Sequence, residues 1–269
     1  MNKYFNEQSN ILITGASSGI GKNLATLLIK KYGVKVLGVA RNQEKLQAVK
    51  EELGDNFNYI IADVGIETEW QKIKNYIEEN AISINGVINS AGVLPKFSSF
   101  NGEYFDLNKK VIDVNFLSVV YSAKYMLPVT KNQPSPIMIN ISSSASLCPF
   151  AGISLYSATK SAVTRFSECL SFENKKVNIV TVMPGFTKTE VMRNQALDKK
   201  EKGLIDKISA NPIKVAKKII RKASKGKKRI ITGFDAYLMN FMFKFFPRTA
   251  PRLIGWFLRK TKMKVFEKI

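Results

Sequence analysis

Seven short apolar runs rich in Val and Ile recur along the chain: "NILIT" (10–14), "VKVLGVA" (34–40), "NYIIADV" (58–64), "GVINSAG" (86–92), "PIMINISS" (136–143), "VNIVTVMPG" (177–185) and "RIITG" (229–233). Between most of them lie stretches with apolar residues at three- and four-residue spacing, such as "GKNLATLLIKKY", "NQEKLQAVKEEL" and "EWQKIKNYIEEN". A strand that is apolar throughout is buried on both faces, and a strand that returns parallel to its neighbour needs a crossover segment, usually a helix. The alternation therefore predicts a doubly wound α/β domain over residues 8–233, with a parallel seven-stranded sheet and helices on both faces. Residues 234–269 are left as an amphipathic, basic helical tail. With 269 residues, 45% of them hydrophobic, the chain can bury a core of that size.

The first run leads directly into "TGASSGIG" (14–21), where a strand turns into a helix. A side chain at Gly15 would obstruct the tight turn, one at Gly19 would block a pyrophosphate, and one at Gly21 would push the helix off the sheet. Unpaired N–H groups and the positive end of the helix then favour phosphate. Folds of this type that prefer NAD carry an acidic residue at the end of the second strand; here the position reads "GVARN". Arg41 can pair with a 2′-phosphate, which favours NADP(H) over NAD. A solvated surface arginine is the alternative. Asp63, in "ADV", is placed either to accept from the adenine amino group or to cap the following helix.

No histidine occurs anywhere, which excludes a Ser-His-Asp triad, a Cys-His pair and a His-ligated zinc site. Acid–base chemistry near neutral pH falls to Tyr, Lys, Cys or a carboxylate, and no metal is expected. Cys148 and Cys169 have neither metal-ligand spacing nor the density of a disulfide scaffold, so both are expected reduced. The opening "MNKYFNEQSN" contains no hydrophobic signal region, and the expected location is cytoplasmic.

Six motifs in order now resemble one family, the short-chain dehydrogenase/reductases: "TGASSGIG", "NSAG" (89–92), Asn115 in "VIDVNF", "INISSSAS" (139–146), "YSATK" (156–160) and "PGFTKT" (184–189). The likeness covers residues 10–190. It implies a Rossmann fold, a homodimer or homotetramer, and a catalytic tetrad of Asn115, Ser143, Tyr156 and Lys160. Ser143 is selected over Ser142 and Ser144 because the family's serine lies thirteen residues before the tyrosine. The resemblance extends cofactor binding to Gly15, Ser17, Ser18, Gly19, Ile20, Gly21, Arg41, Asp63 and Val64. It adds Asn89, Ala91, Gly92, Tyr156, Lys160, Pro184, Gly185, Thr187 and Thr189, the last at the nicotinamide end. Ser90 stands where many members have a second asparagine, and the glycine-rich C-terminus of many soluble members is missing.

Residues 153–172 read as a helix with an apolar stripe of Leu155, Ala158, Ala162, Phe166, Cys169 and Leu170. Tyr156 and Lys160 lie one turn apart on its flank. The ammonium of Lys160 is expected to lower the phenol pKa, so that Tyr156 can protonate a carbonyl oxygen as hydride arrives. Ser143 would hold that oxygen, Lys160 would also bind the nicotinamide ribose, and Asn115 would hold a water that returns protons.

The charge is uneven: residues 199–269 hold 21 Lys and Arg against 4 Asp and Glu. "YLMNFMFKFFPRTAPRLIGWFLRK" is too charged and too broken by Pro247 and Pro251 to cross a bilayer. Two short helices, near 235–246 and 249–260, would set aromatics on one side and cations on the other. Upstream, Asn211 and Pro212 are start signals for a helix with a basic face. The tail either folds back over the cleft or a subunit contact, or rests peripherally on a membrane surface, and the two readings are compatible; nucleic acid is not expected as a partner. The leading expectation is an NADPH-dependent reductase of an apolar, lipid-like carbonyl, reversibly an alcohol dehydrogenase, with Leu94, Phe97, Leu147, Phe150, Phe186 and Met192 lining the pocket. Its alternatives are a 3-oxoacyl-thioester reductase of fatty-acid type and a catalytically silent cofactor-binding regulator or scaffold.

Overall fold

The computed structural model describes residues 2–98, 100, 105–190 and 199–260. Seven strands form one sheet in the order β3-β2-β1-β4-β5-β6-β7, with every neighbouring pair parallel. They are β1 Asn10–Thr14, β2 Lys35–Ala40, β3 Phe57–Ile61, β4 Gly86–Asn89, β5 Ile137–Ile141, β6 Asn178–Pro184 and β7 Arg229–Thr232. The order reverses between β1 and β4, and the crevice beyond the carboxyl ends of those strands is where such sheets bind ligands. There the Thr14 hydroxyl accepts from the N–H groups of Ser90 and Ala91, both at 3.1 Å, tying the two strand ends together.

One face of the sheet is covered by α1 Gly19–Tyr32, α2 Gln43–Leu53 and, beyond β6, a helix at Pro212–Ser224. The other is covered by α3 Glu67–Glu79, α5 Ser118–Thr130 and α6 Ser154–Glu173. Each face is sealed by an apolar layer, with Leu24, Leu28, Leu46 and Ile219 on the first and Trp70, Ile73, Met126 and Met138 on the second. Tyr4 and Phe5, ahead of the expected start at residue 8, are buried in the first layer. Helix α4, Phe105–Ile112, reaches α5 through a π-helical turn, Asp113–Leu117. Helix α7 is Lys199–Ile208, and Pro212–Ser224 is α8. As expected, the Asn211 side chain accepts from the Ile213 N–H and Pro212 opens the helix. The apolar positions Val215, Ala216, Ile219 and Ile220 of α8 are buried, which leaves its lysines outside.

After β7 come two tail helices, α9 Phe234–Phe245 and α10 Ala250–Lys260, within one residue or so of their expected limits. They fold back onto the carboxyl end of the sheet. Ala250, Met239, Met242, Phe243, Ile254 and Leu258 join an apolar cluster that also contains Phe97, Phe150, Ile153, Phe186 and the ring of Tyr156.

Candidate active site

The turn after β1 has the shape its glycines require. Gly15 has φ +67°, and a Cβ there would meet the Ala91 backbone at 2.9 Å; one at Gly21 would strike the Gly15 carbonyl. Gly19 has φ +55°, and a Cβ there would lie 3.4 Å from the Thr189 side chain across the groove. Ser18, the cap of α1, makes no side-chain cap bond and no acid occupies the first helical turn, so the N–H groups there point into the groove without a side-chain acceptor.

Two continuous depressions run from this turn. One is lined by Ser17, Ser18, Arg41, Asn42, Lys45, Ala62, Asp63, Val64, Ala91, Gly92 and Glu190. The other holds Ser18, Gly19, Ile20, Ser143, Tyr156, Lys160, Pro184, Gly185, Thr187 and Thr189, with Leu94, Phe97, Phe150 and Phe186 as its apolar wall. In the first, Arg41 pairs with Asp63 at 3.3 Å, and the other Asp63 oxygen accepts from the Gly65 N–H at 3.0 Å. Asp63 does not cap the next helix, whose cap is Ile66. Lys45, which sequence reasoning passed over, pairs with Glu190 at 2.6 Å across the groove. Its signal was available: it lies four residues beyond Arg41 on the turn that Asn42 caps by accepting from the Lys45 N–H.

Ser143 leaves β5 in extended conformation and lines the same cleft as Tyr156. Its neighbour Ser142 is buried, donates to the Lys160 carbonyl at 2.7 Å and shares a hydrogen bond with Thr164 at 2.8 Å. The run of three serines is thus divided, one for the cleft and one for holding α6. Lys160 is buried, with its Nζ 3.0 Å from the Ile141 carbonyl, and burial pushes its ammonium down to about 8. Asn115 lies in the π-helical turn and is fully buried. Its side chain accepts from the Val93 N–H at 2.8 Å and donates to the Val93 carbonyl at 2.9 Å, and it donates to the Thr159 hydroxyl at 3.4 Å. It fastens the loop after β4 to the second turn of α6.

Four expectations need correction. Burial raises the Tyr156 phenol, and the Ser143 hydroxyl opposes this only in part. The Lys160 ammonium lies 5.9 Å from the Tyr156 ring centroid and is spent on a carbonyl, so desolvation outweighs it. The stripe on α6 is misplaced: Ala158 and Cys169 are exposed, whereas Ser157, Thr159, Lys160, Thr164 and Ser167 are buried beside Val163 and Leu170. Small hydroxyl side chains that return hydrogen bonds to their own helix, as Ser167 does to the Val163 carbonyl at 2.7 Å, are small enough to let the helix lie close on the sheet. Asn89 does not line the groove. Its side chain points beneath the floor and donates to Asn140 at 2.8 Å, and Asn140 donates to Ser167 at 2.8 Å. Leu147 is buried away from the cleft with Met183 and Ala236. Met192 lies outside the described residues.

Asp235, at the start of α9, had no place in the sequence reading. Its carboxylate accepts from the Phe186 N–H at 2.7 Å and fills the space that glycine leaves at 185 and 233. Burial pushes its pKa up, against the hydrogen bonds from the backbone of Phe186, Ala236 and its own residue. The tail is thereby fastened to the loop after β6, which is also held by the Ala210 N–H donating to the Phe186 carbonyl at 2.8 Å.

This architecture and this cleft agree with what the chain resembles among known proteins. The sequence matches the short chain dehydrogenase family over residues 9–200. It is 31% identical over 199 residues to the very-long-chain 3-oxoacyl-CoA reductase of Rattus norvegicus, across 70% of this chain and 63% of that one. The chain therefore spans less than two thirds of that relative's length. It is 28% identical over 264 residues to 11-beta-hydroxysteroid dehydrogenase A of Sesamum indicum, across 93% of this chain and 74% of that one. Among solved structures, the closed form of a serine dehydrogenase complexed with NADP+ superposes with a TM-score of 0.74 at 26% identity, covering 82% of this chain and 93% of that one. The chain belongs to the short-chain dehydrogenase/reductase family.

Proposed function

We propose that this chain is an NADP(H)-dependent reductase of an apolar carbonyl compound, working reversibly on the corresponding secondary alcohol. The observation that carries the reading is a single cleft lined by Ser143, Tyr156 and Lys160, with an uncapped helix start on one side and an apolar aromatic wall on the other. A dinucleotide fits the rest of the groove. The cradle at Gly15 and Gly21 has no room for a Cβ, the N–H groups at the start of α1 suit a pyrophosphate, and Arg41 and Lys45 supply cations for a 2′-phosphate. The NADP+ complex of the related serine dehydrogenase supports that choice.

The nicotinamide, when bound, supplies or accepts the hydride. Tyr156 gives its phenolic proton to the carbonyl oxygen in reduction and takes it back in oxidation. Ser143 donates to the same oxygen, and its bond strengthens as negative charge gathers there. Lys160 would hold the ribose of a bound cofactor, and its lowered pKa lets it give up a proton near neutrality. Asn115 keeps Gly92 and Val93 in place beside that ammonium. The apolar wall and the tail helices keep bulk water away from the reacting carbon.

A narrower second reading, a 3-oxoacyl-thioester reductase, is favoured by the names of relatives and by the apolar roof. Met239, Met242, Phe243, Ile254 and Leu258 offer an acyl chain a surface continuous with the Tyr156 ring. A screen of carbonyls and alcohols, including 3-oxoacyl thioesters, followed by NADPH absorbance separates the two. Tyr156→Phe should lower kcat on the best substrate by about a hundredfold or more. Undiminished turnover would remove Tyr156 as the acid, and NADPH binding without turnover of anything in the screen would leave a cofactor-binding scaffold.

A further inference from the structure

Although the inner faces of α9 and α10 are buried on the cleft, much of their apolar surface remains outside. Of the large hydrophobic side chains exposed among the described residues, most fall between 234 and 257, including Phe234 at 83% and Phe257 at 64%. On α9, Phe234, Leu238, Phe241 and Phe245 follow one another at three- to four-residue spacing, and on α10 Leu253, Trp256 and Phe257 do the same, so each helix has one outward apolar stripe. Both helices turn their other side to the same inner cluster, which sets both stripes facing away from the body. Patches of this size are not left to water without a reason.

Exposed cations frame the stripes: Lys244, Arg248, Arg252, Arg259 and Lys260. Lys260 lies 4.9 Å from the Trp256 ring centroid and Lys244 lies 5.6 Å from that of Phe245. The only acid between 234 and 260 is Asp235, and it is committed to the Phe186 N–H. Lys218 and Lys222 of α8 reach across to Tyr237, so the basic face of α8 borders the outer face of α9.

We infer that the outer face of α9 and α10 docks on an anionic lipid bilayer, the aromatics entering the headgroup boundary and the cations meeting lipid phosphates. Aromatic and aliphatic side chains beside Lys and Arg, on helices lying along a surface, are what such a boundary accepts. The helices have 12 and 11 residues, too short to span a bilayer but long enough to lie on one. No helix among the described residues is long and apolar enough to cross a membrane. A second copy is a poor occupant, because a twofold contact would set this acid-free ring of cations against itself. The consequence for substrate rests on the apolar-carbonyl reading: the same two helices roof the cleft, so docking would bring its mouth to the source of a lipid-soluble substrate.

The test is flotation of the full chain with vesicles of phosphatidylcholine alone and of phosphatidylcholine mixed with phosphatidylglycerol, at low and high salt. Partitioning should be about tenfold stronger on the mixed vesicles and should weaken with salt. The double variant Trp256→Asp, Phe257→Asp should lower it about tenfold or more. NADPH binding in solution, followed by fluorescence, should stay at the wild-type level in that variant. Should that variant not fold, Lys244→Glu with Arg252→Glu carries the same expectation. Equal partitioning on both vesicles, none on either, or none lost in the variants would overturn the inference. So would self-association in solution that the same variants abolish, which would assign the face to a second copy. Flotation without turnover sinks the reductase reading alone, and turnover without flotation sinks the docking alone.

Discussion

Replacing Lys160 by methionine should abolish turnover and at the same time make the fold more stable. Lys160 is 4% exposed, and burial holds its pKa at about 8 against an ordinary value of 10.5. At about 1.36 kcal/mol per pKa unit, the folded state carries a penalty of about 3 kcal/mol for keeping that ammonium at pH 7. Methionine fills similar space without charge but leaves the Ile141 carbonyl without its donor, a loss of about 1 kcal/mol. The net gain should be about 2 kcal/mol. The pH dependence gives the sign an independent check. A lysine whose folded pKa lies below its unfolded one makes the folded state bind fewer protons. The penalty is therefore complete below about 8 and fades as pH climbs toward 10.5. Urea unfolding of the cofactor-free protein at pH 7 and pH 9 should show the wild type gaining about 1 kcal/mol on the variant over that interval. A variant less stable than wild type at pH 7, or two parallel pH profiles, would refute the reasoning.

Two further outcomes follow from the groove and the tail. Arg41→Asp should shift the ratio of kcat/KM for NADPH over NADH by about tenfold or more toward NADH, since it exchanges a cation at the 2′ position for an acceptor; an unchanged ratio would return Arg41 to the surface. Asp235→Ala should destabilise the chain by about 1–3 kcal/mol in urea and raise KM for the apolar substrate more than it lowers kcat, because the Phe186 N–H loses its acceptor. Asp235→Asn keeps an oxygen at the same point and should recover most of both.

What could be read from the sequence, and what could not, divides along physical lines. The seven strands and the glycine turn are legible because burial on both faces and the absence of a Cβ leave direct traces in residue type. Strand ends are less so: β3 stops at Ile61, and Ala62, Asp63 and Val64, which continue its apolar run, leave the sheet to line the groove. The buried side of α6 was missed because hydrophobicity is a poor guide where Ser, Thr and Lys are internal. Lys160 is satisfied by the Ile141 carbonyl of β5, and Thr159, Thr164 and Ser167 by carbonyls of the helix itself, which no spacing rule reveals. Asn89 and Asn140 form a similar buried amide chain. Asp235 was invisible because its partner is a backbone N–H 49 residues earlier in the chain.

The tail and the acid are connected through solvent. Tyr156 touches an apolar cluster to which α9 and α10 contribute Met239, Met242, Phe243, Ile254 and Leu258. Desolvation is the main cause pushing the phenol up and the sole cause pushing the Lys160 ammonium down. Both shifts favour the uncharged forms, so an open, wet cleft would return each group toward its ordinary pKa. A neutral phenol that keeps its proton until an oxygen beside Ser143 gathers charge suits an acid that must not release that proton to water. The roof that packs against the Tyr156 ring is held down by Asp235 and presents its other side to the surroundings.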